Sequence, residues 1–324
     1  MPDSACSIRK PTQNRSAPCR SRRRAKYNEA CAMVAPDVLQ NPAAQRWLGG
    51  IEPAWTLLDQ SSFTALHGPP SQQAGPIRLA TDLTHDETRQ SAVARNALIL
   101  LGAAASGPGL KMTATGNLSR GVVAEMCERF DWPGFDKAQM FQMNKVINET
   151  DFLPLYFVRH VAVAGNLLRR RKGSFQLTPG GRWMLDASNL RAVQAVLFHI
   201  ALWRLDLGYF AMDMHEGWPQ GDAGVFLWCL SVAANDWQSR ERLTRLCTIP
   251  VDSVLHTKWS WDSPAYMMDA KILRPLWWFG LLEHREEKLN ADRYDARQFY
   301  RKTALFDRFL SFEVGLETAG VLRH

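Results

Sequence analysis

The chain has 324 residues, of which 46% are hydrophobic and 22% charged, proportions typical of a globular protein. No uncharged apolar run of about 18 residues occurs, so we expect no membrane contact. Of the formal net charge of +7, +6 belongs to residues 1–31, which hold eight cations and two acids. The rest of the chain is nearly neutral, so the basic isoelectric point gives little support for nucleic-acid binding by the whole protein.

The cysteines and the chain start favour a cytoplasmic protein with reduced thiols. The six cysteines form no C-x-x-C pair and have no zinc-ligand spacing with histidine. The N-terminus lacks the apolar core of a signal peptide. Asp82, His85 and Asp86 could supply metal ligands, as could Asp213, His215 and Glu216, but neither group has a recognised spacing. We therefore expect surface histidines, no metal and no cofactor.

No catalytic motif is present. The sequence lacks a phosphate-binding loop, a nucleophile elbow, an H-E-x-x-H helix and a dinucleotide fingerprint. An enzyme would need a polar pocket in which titratable groups such as His199, Asp206 and His215 converge. The sequence gives no support for one, so we expect a protein that is not an enzyme.

Composition divides the chain into four segments. Residues 1–40 are basic and poor in large apolar side chains, which predicts a disordered tail. Residues 41–85 contain short helical patterns and a glycine- and proline-rich linker. Residues 86–205 and residues 206–324 each carry a longer organised pattern.

The first organised region predicts a series of helices that ends in a hairpin. The helical patterns are Glu87–Ala105, a segment capped by Asn117 or Ser119 that ends near Phe130, Lys137–Asn148, and a helix after Asp151 with Phe152, Leu155, Val158 and Val161 inward. A short extended piece over Leu110–Thr113 follows the first helix. Two extended arms within Gly165–Thr178 flank a turn at Lys172-Gly173, and Thr178 can cap a further helix.

Helix, helix, hairpin, helix is the element order of a winged helix-turn-helix. Gly165–Leu168, the basic turn and Leu177–Arg182 resemble the hairpin of winged helix-turn-helix regulators. With Leu110–Leu118, they are also similar to uncharacterised bacterial proteins described as plasmid open-reading-frame-like or insertion-element passenger proteins. The resemblance covers roughly residues 95–190. It implies a winged-helix fold and carries no activity with it.

The second organised region repeats this order. It predicts helices over Gly221–Ala234, Gln238–Leu246 and Tyr266–Phe279, and hairpin arms over Leu281–Lys288 and Gln298–Lys302. Thr303 precedes Leu310 by seven residues, as Thr178 precedes Leu185. A repeat at this spacing suggests duplication, with a chance match of common patterns as the alternative. We therefore predict a mainly α fold with small β-hairpins, built as tandem winged-helix-like units.

The first hairpin carries the strongest functional signal. Four consecutive cations suit phosphate contacts, and the preceding helix could read bases from a groove. The alternative is a solvated basic hairpin without a ligand. The predicted nucleic-acid-binding residues are Arg159, His160, Arg169, Arg170, Arg171, Lys172 and Arg182.

The second region favours a protein partner over nucleic acid. Glu283, Glu286 and Glu287 would repel phosphate, so this hairpin should pack against the first unit or against another protein. Trp259, Trp261, Trp277 and Trp278 cluster nearby, and core filling is the ordinary role for such rings. We predict a DNA-binding or regulatory protein that uses its first unit on double-stranded DNA. The alternative is a protein-interaction module that binds through its Trp-rich second unit.

Overall fold

The computed structural model describes residues 38–67, 75–143, 146–211, 214–215, 217–259, 261–288 and 296–317. Most of the predicted disordered tail and of the predicted linker lies outside these residues. Val38, which lies within the segment predicted as a disordered tail, is buried. No helix in the described ranges is long and apolar enough to cross a membrane.

The described part is mainly helical, as predicted. The α-helices are α1 (Pro42–Leu48), α2 (Gln60–Leu66), α3 (His85–Arg89), α4 (Ala92–Ala105), α5 (Arg120–Arg129), α6 (Lys137–Met143), α7 (Leu153–Ala164), α8 (Pro179–Leu185), α9 (Val193–His199), α10 (Ala223–Ala233), α11 (Arg240–Cys247), α12 (Asp252–Leu255), α13 (Ser263–Met268), α14 (Arg274–Trp278) and α15 (Ala304–Phe309). One π-turn, Ile200–Arg204, follows α9, and a second, Asp269–Leu273, joins α13 to α14.

The strands form three small antiparallel sheets in the described ranges. They are β1 (Ile77–Leu79), β2 (Leu110–Lys111), β3 (Leu168–Arg171), β4 (Ser174–Leu177), β5 (Gln238–Ser239), β6 (Leu282–Lys288), β7 (Ala296–Lys302) and β8 (Leu310–Phe312). One sheet pairs β1 with β8. The other two have the orders β2-β4-β3 and β5-β7-β6, so in each a short early strand lies beside the second arm of a hairpin.

The first hairpin, Leu168–Leu177, is closed by the two-residue turn predicted from sequence. Arg171 lies opposite Ser174, and Lys172 and Gly173 stand between them with φ of 47° and 74°. Two successive residues in the left-handed region match the twist of an antiparallel hairpin, which explains the glycine. The cations Arg169, Arg170 and Arg171 lie on the first arm, directly before this turn.

Thr178 connects the first hairpin to the helix that precedes it. Its hydroxyl lies 2.6 Å from the carbonyl oxygen of Asn166 and 3.1 Å from that of Leu167, and accepts the Gly181 N–H. The Thr178 N–H donates to Leu167 as well. Asn166 takes a left-handed φ of 53°, which ends the helix and starts the hairpin.

Thr303 makes the same connection in the second hairpin, Leu282–Lys302. Its hydroxyl lies 2.8 Å from the carbonyl oxygen of Gly280 and 3.2 Å from that of Leu281, and accepts the Phe306 N–H. Gly280 has a φ of 74°, in the left-handed region that Asn166 adopts in the first copy. Strand order and hydrogen bonding are therefore repeated, although few residue identities are.

Buried side chains from both repeated units belong to one hydrophobic cluster. The Trp278 ring of the second unit lies 5.4 Å from Trp132 and 5.1 Å from Phe157 of the first, measured between centroids. Phe198 contacts Phe279 at 5.1 Å. The two units therefore share a core.

The boundaries of several predicted helices were wrong. The helix expected over Lys137–Asn148 is shorter, because residues 146–148 are not helical. Three others differ for a local reason. The helix expected over Glu87–Ala105 is two helices, because the Ser91 side chain accepts the Ala94 N–H and starts a new one. Gln238 and Ser239 form strand β5, which pairs with β7. The helix predicted from Gln238 therefore begins at Arg240. The helix expected from Tyr266 starts earlier, at Ser263, where Asp262 caps it.

Candidate nucleic-acid interface

The cationic side chains of the first hairpin are all exposed. Arg169, Arg170 and Arg171 lie on β3, and Lys172 lies in the turn. Phe175, which is fully buried, lies opposite Arg170 in the ladder and on the same face of the hairpin. A packed ring beneath the strand gives these cations a fixed backbone from which to reach solvent.

Arg170 has a defined position above this ring. Its guanidinium carbon lies 5.6 Å from the Phe175 ring centroid, and Nη2 lies 3.5 Å from the Gly116 carbonyl oxygen. A Cβ added at Gly116 would meet Nη1 of Arg170 at 3.1 Å, so glycine makes room for the arginine. Arg170 therefore orients the hairpin against the neighbouring loop.

The first hairpin differs from the second in how its charges are balanced. Among the described residues, no carboxylate lies within ion-pair distance of Arg169, Arg171 or Lys172. In the second hairpin, Arg285 pairs with Glu287 at 2.8 Å, and Arg301 pairs with Glu283 at 2.6 Å. Positive charge on the first hairpin is therefore available to an anion, whereas much of that on the second is already neutralised.

Two further cations near the first hairpin were missed by the sequence analysis. Lys111 is exposed on β2 and lies opposite Ser174, next to the hairpin turn. Arg120 is exposed at the start of α5, and Ser119 just before it donates its N–H to the Lys111 carbonyl. The predicted extended piece after α4 contains Lys111. The sequence did not indicate that this piece pairs with the first hairpin, so Lys111 was not placed beside the turn.

Arg159 is not part of this exposed surface. Its side chain is 3% exposed and its Nε donates to Oε1 of Glu149, which is fully buried. Oε2 of Glu149 accepts the Leu118 N–H at 2.6 Å. The ion pair joins α7 to the loop after β2. The prediction that Arg159 contacts bases conflicts with this burial, because a buried side chain does not reach a DNA groove.

His160 is also inside the protein. Its Nδ1 lies 2.8 Å from the Tyr156 carbonyl oxygen, and its ring packs against Tyr209 and Phe210, with centroids 5.0 and 5.5 Å away. Burial, helped by the neighbouring Arg159 charge, lowers the pKa of His160 to about 3. The segment Leu207–Phe210 thus covers the helix that was expected to enter a groove.

Arg182, the remaining predicted residue, is exposed on α8 beyond the end of the hairpin. It is separated in sequence from the cationic turn by the whole of β4, and no contact joins it to the cations of β3 in the described part of the chain. The structure therefore brings together four of the seven predicted residues, namely Arg169–Lys172.

The groups named for an enzyme do not converge in the described ranges. His199 stacks on Trp203 with an interplanar angle of 22°, and Asp206 accepts the Gly208 N–H. His215, which was expected at the surface, is buried, and its Nε2 lies 3.1 Å from the Ser263 hydroxyl oxygen. Asp213 and Glu216 lie outside the described residues, and within those ranges no three acidic, histidine or cysteine side chains form a metal-binding group.

The tryptophans of the second unit divide between the core and the surface. Trp278 is buried, whereas Trp277 is half-buried and packs against His284 with ring centroids 4.5 Å apart. Trp259 and Trp261 are 52% and 42% exposed, with their ring centroids 6.2 Å apart. Core filling therefore accounts for the Trp277-Trp278 pair better than for the other two.

The comparisons with known proteins found a family model that matches most of the first unit. Residues 89–190 match the family model described as the Y4jL N-terminal domain. The chain is 35% identical over 106 residues to "Uncharacterized protein y4jL" of Sinorhizobium fredii (strain NBRC 101917 / NGR234), covering 33% of this chain and 47% of that protein. The chain thus spans about half the length of the curated relative it matches. No solved structure matches.

The match supports the resemblance to an uncharacterised bacterial protein family. It includes β2, α5, α7, the first hairpin and α8, so the predicted hairpin cations all lie within the matched range. The names of the family and of the relative indicate neither a fold nor an activity.

Proposed function

We propose that this protein binds double-stranded DNA through the first hairpin, which acts as the wing of a winged-helix-like unit. The observation that carries the proposal is the exposed group of Arg169, Arg171 and Lys172, which has no ion-pair partner among the described carboxylates. Adjacent like charges repel one another, and the negative charge of a polyanion offsets that repulsion. Neutralising DNA phosphates also releases their condensed counterions, which favours binding.

The unit has the element order that this interpretation needs. Helix α4, strand β2, helices α5 and α7, and the hairpin follow one another, with β2 paired to the second hairpin arm. A winged helix has this order of elements, and the second unit repeats it. Lys111 and Arg120 extend the basic surface beside the turn.

The proposed contact is with the phosphate backbone rather than with bases. Helix α7, which corresponds to the recognition helix, has Arg159 and His160 buried, and the rings of Tyr209 and Phe210 pack against His160. Phosphate contacts position a protein on a duplex but carry no sequence information. DNA binding through the hairpin alone is therefore expected to be independent of sequence.

The experiment is binding of a fluorescein-labelled 20-base-pair duplex to the full chain, followed by anisotropy. The test variant is Arg169→Ala/Arg170→Ala/Arg171→Ala/Lys172→Ala. The matched control removes four exposed cations elsewhere, Arg46→Ala/Arg89→Ala/Arg242→Ala/Lys258→Ala. The proposal predicts at least a tenfold weaker Kd for the hairpin variant and a smaller change for the control.

A separate variant tests whether the basic N-terminal segment contributes to DNA binding. The variant Arg22→Ala/Arg23→Ala/Arg24→Ala is compared with the hairpin variant under the same conditions. If only this variant loses affinity, the chain binds DNA through its tail and the proposal for the hairpin is wrong.

A protein partner for the second unit is the other candidate function, and one observation favours it. Trp259 and Trp261 expose large apolar rings side by side, and exposed tryptophans are frequent anchors of protein interfaces. Chemical cross-linking of the purified chain with cell extract, with and without Trp259→Ser/Trp261→Ser, tests this. A partner band that persists in the variant would rule these rings out as the anchor.

A further inference from the structure

A cavity of about 440 Å³ lies next to the first unit, on the side of α8 and α9. Its walls are mostly apolar and include Ile77, Ala195, Val196 and Ile200. This volume is within the range of sites that hold small organic molecules. None of the cations of the basic turn lines it, so it is separate from the first hairpin's surface.

Among the residues lining this cavity that the structure describes, Arg204 is the one with a permanent charge. Arg204 is exposed and lines it, and no acidic residue is among the described lining side chains. Arg204 forms no ion pair with a carboxylate in the described ranges. An apolar cavity with a single arginine at its edge is complementary to a molecule that has an apolar body and one anionic group.

The backbone that presents Arg204 is unusual. Residues Ile200–Arg204 form a π-turn, in which the Leu205 N–H donates to the Ile200 carbonyl five residues earlier, at 2.9 Å. Such π-turns are rare in proteins, but those that do occur are often found at functional sites. Here the π-turn places Ile200 in the wall and Arg204 at the edge of the same cavity.

Aromatic rings at the edge favour a flat ligand. Trp183 lines the cavity and is 44% exposed, although most large apolar side chains of this unit are buried. His199 also lines it and is held in a stack with Trp203. An exposed indole beside an apolar cavity offers a surface on which a planar ring can stack.

We propose that this cavity binds a small aromatic carboxylate, with its ring between Trp183 and Val196 and its carboxylate on Arg204. The site is independent of DNA binding by the hairpin, so either proposal can fail without the other. A carboxylate can accept two N–H groups from the arginine fork, which gives the anion a preference over a neutral molecule of the same shape.

The test is isothermal titration of the full chain with 1-naphthoate and, separately, with its neutral amide, 1-naphthamide. Naphthoate is expected to bind at least tenfold more tightly than naphthamide. Arg204→Gln is expected to weaken naphthoate about tenfold and leave naphthamide unchanged. Arg191→Gln removes a nearby exposed cation that does not line the cavity, and should change neither.

A second variant tests the location. Val196→Phe fills the cavity and should abolish binding of both probes, and Ala192→Trp, at a half-exposed lining position, serves the same purpose should Val196→Phe fail to fold. Circular dichroism melting checks the fold of each variant. Absence of naphthoate binding, equal affinity for the two probes, or binding that survives in the filled variants overturns the proposal.

Discussion

Thr178 and Thr303 occupy the same position in the two repeated units. Each hydroxyl lies against two carbonyl oxygens at the end of the preceding helix and accepts an N–H of the following one. Thr178→Val and Thr303→Val should each lower the free energy of unfolding by about 1–2 kcal/mol, through the lost cap and hydrogen bond.

Urea denaturation measures this effect, and the serine variants at the same two positions serve as controls because they keep the hydroxyl. They should lose less than half as much. If the serine variants lose stability and the valine variants do not, the methyl packing rather than the hydroxyl network holds the hairpins.

The ion pair between Arg159 and Glu149 should contribute to stability rather than to DNA affinity. Both side chains are buried, so Arg159→Met leaves an unpaired buried carboxylate and should destabilise by about 3–5 kcal/mol. Arg159→Met/Glu149→Gln removes both charges and should recover much of the loss, because the new amide oxygen can still accept the Leu118 N–H. Denaturant titration of both variants decides this, and an Arg159→Met protein of unchanged stability would contradict the account.

His160 makes stability depend on pH. Its pKa is about 3 in the folded protein and near 6.5 when exposed, so the unfolded chain takes up a proton that the folded chain refuses. Stability is therefore present above about pH 6.5 and falls as pH drops towards 3, by up to about 1.4 kcal/mol per unit.

The check is thermal melting from pH 7 to pH 5, in which His160→Gln should lose this part of the slope. The control His85→Gln alters an exposed histidine and should follow the parent protein. Parallel pH profiles for the parent and His160→Gln would show that His160 is not the group responsible.

The sequence predicted local elements better than it predicted burial. Glycine at position 173 and threonine at 178 identified the first hairpin, and the repeated spacing to Thr303 located the second. Their assignment to winged-helix units stays a prediction. The burial of Arg159 was not predicted because its partner, Glu149, lies ten residues earlier in a short 3₁₀ turn.

The burial of His160 by Tyr209 and Phe210 was not predicted from the sequence for a similar reason. These two rings lie about fifty positions after His160 in the sequence, and only the folded chain brings them into contact with it. The cations of the first hairpin are exposed, as both the phosphate-contact interpretation and its solvated alternative require. Their binding to DNA stays a prediction.

DNA binding should be independent of the DNA sequence, because Arg159 and His160 on α7 are buried. Two 20-base-pair duplexes of equal length and unrelated sequence should bind the full chain with Kd values within about threefold of each other, since backbone contacts do not read bases. Competition of each unlabelled duplex against one labelled duplex measures the ratio. A preference of a hundredfold or more would require base contacts that the buried α7 side chains do not provide.

The most direct test of the account is the salt dependence of duplex binding between 50 and 200 mM NaCl. For B-DNA, log Kobs against log salt falls with a slope of about −0.9 for each phosphate neutralised. Removing the cations of Arg169–Lys172 should make that slope shallower by about 3, and the four-cation control should leave it nearly unchanged. Equal slopes for the parent protein and the hairpin variant would show that the first hairpin does not contact the phosphate backbone.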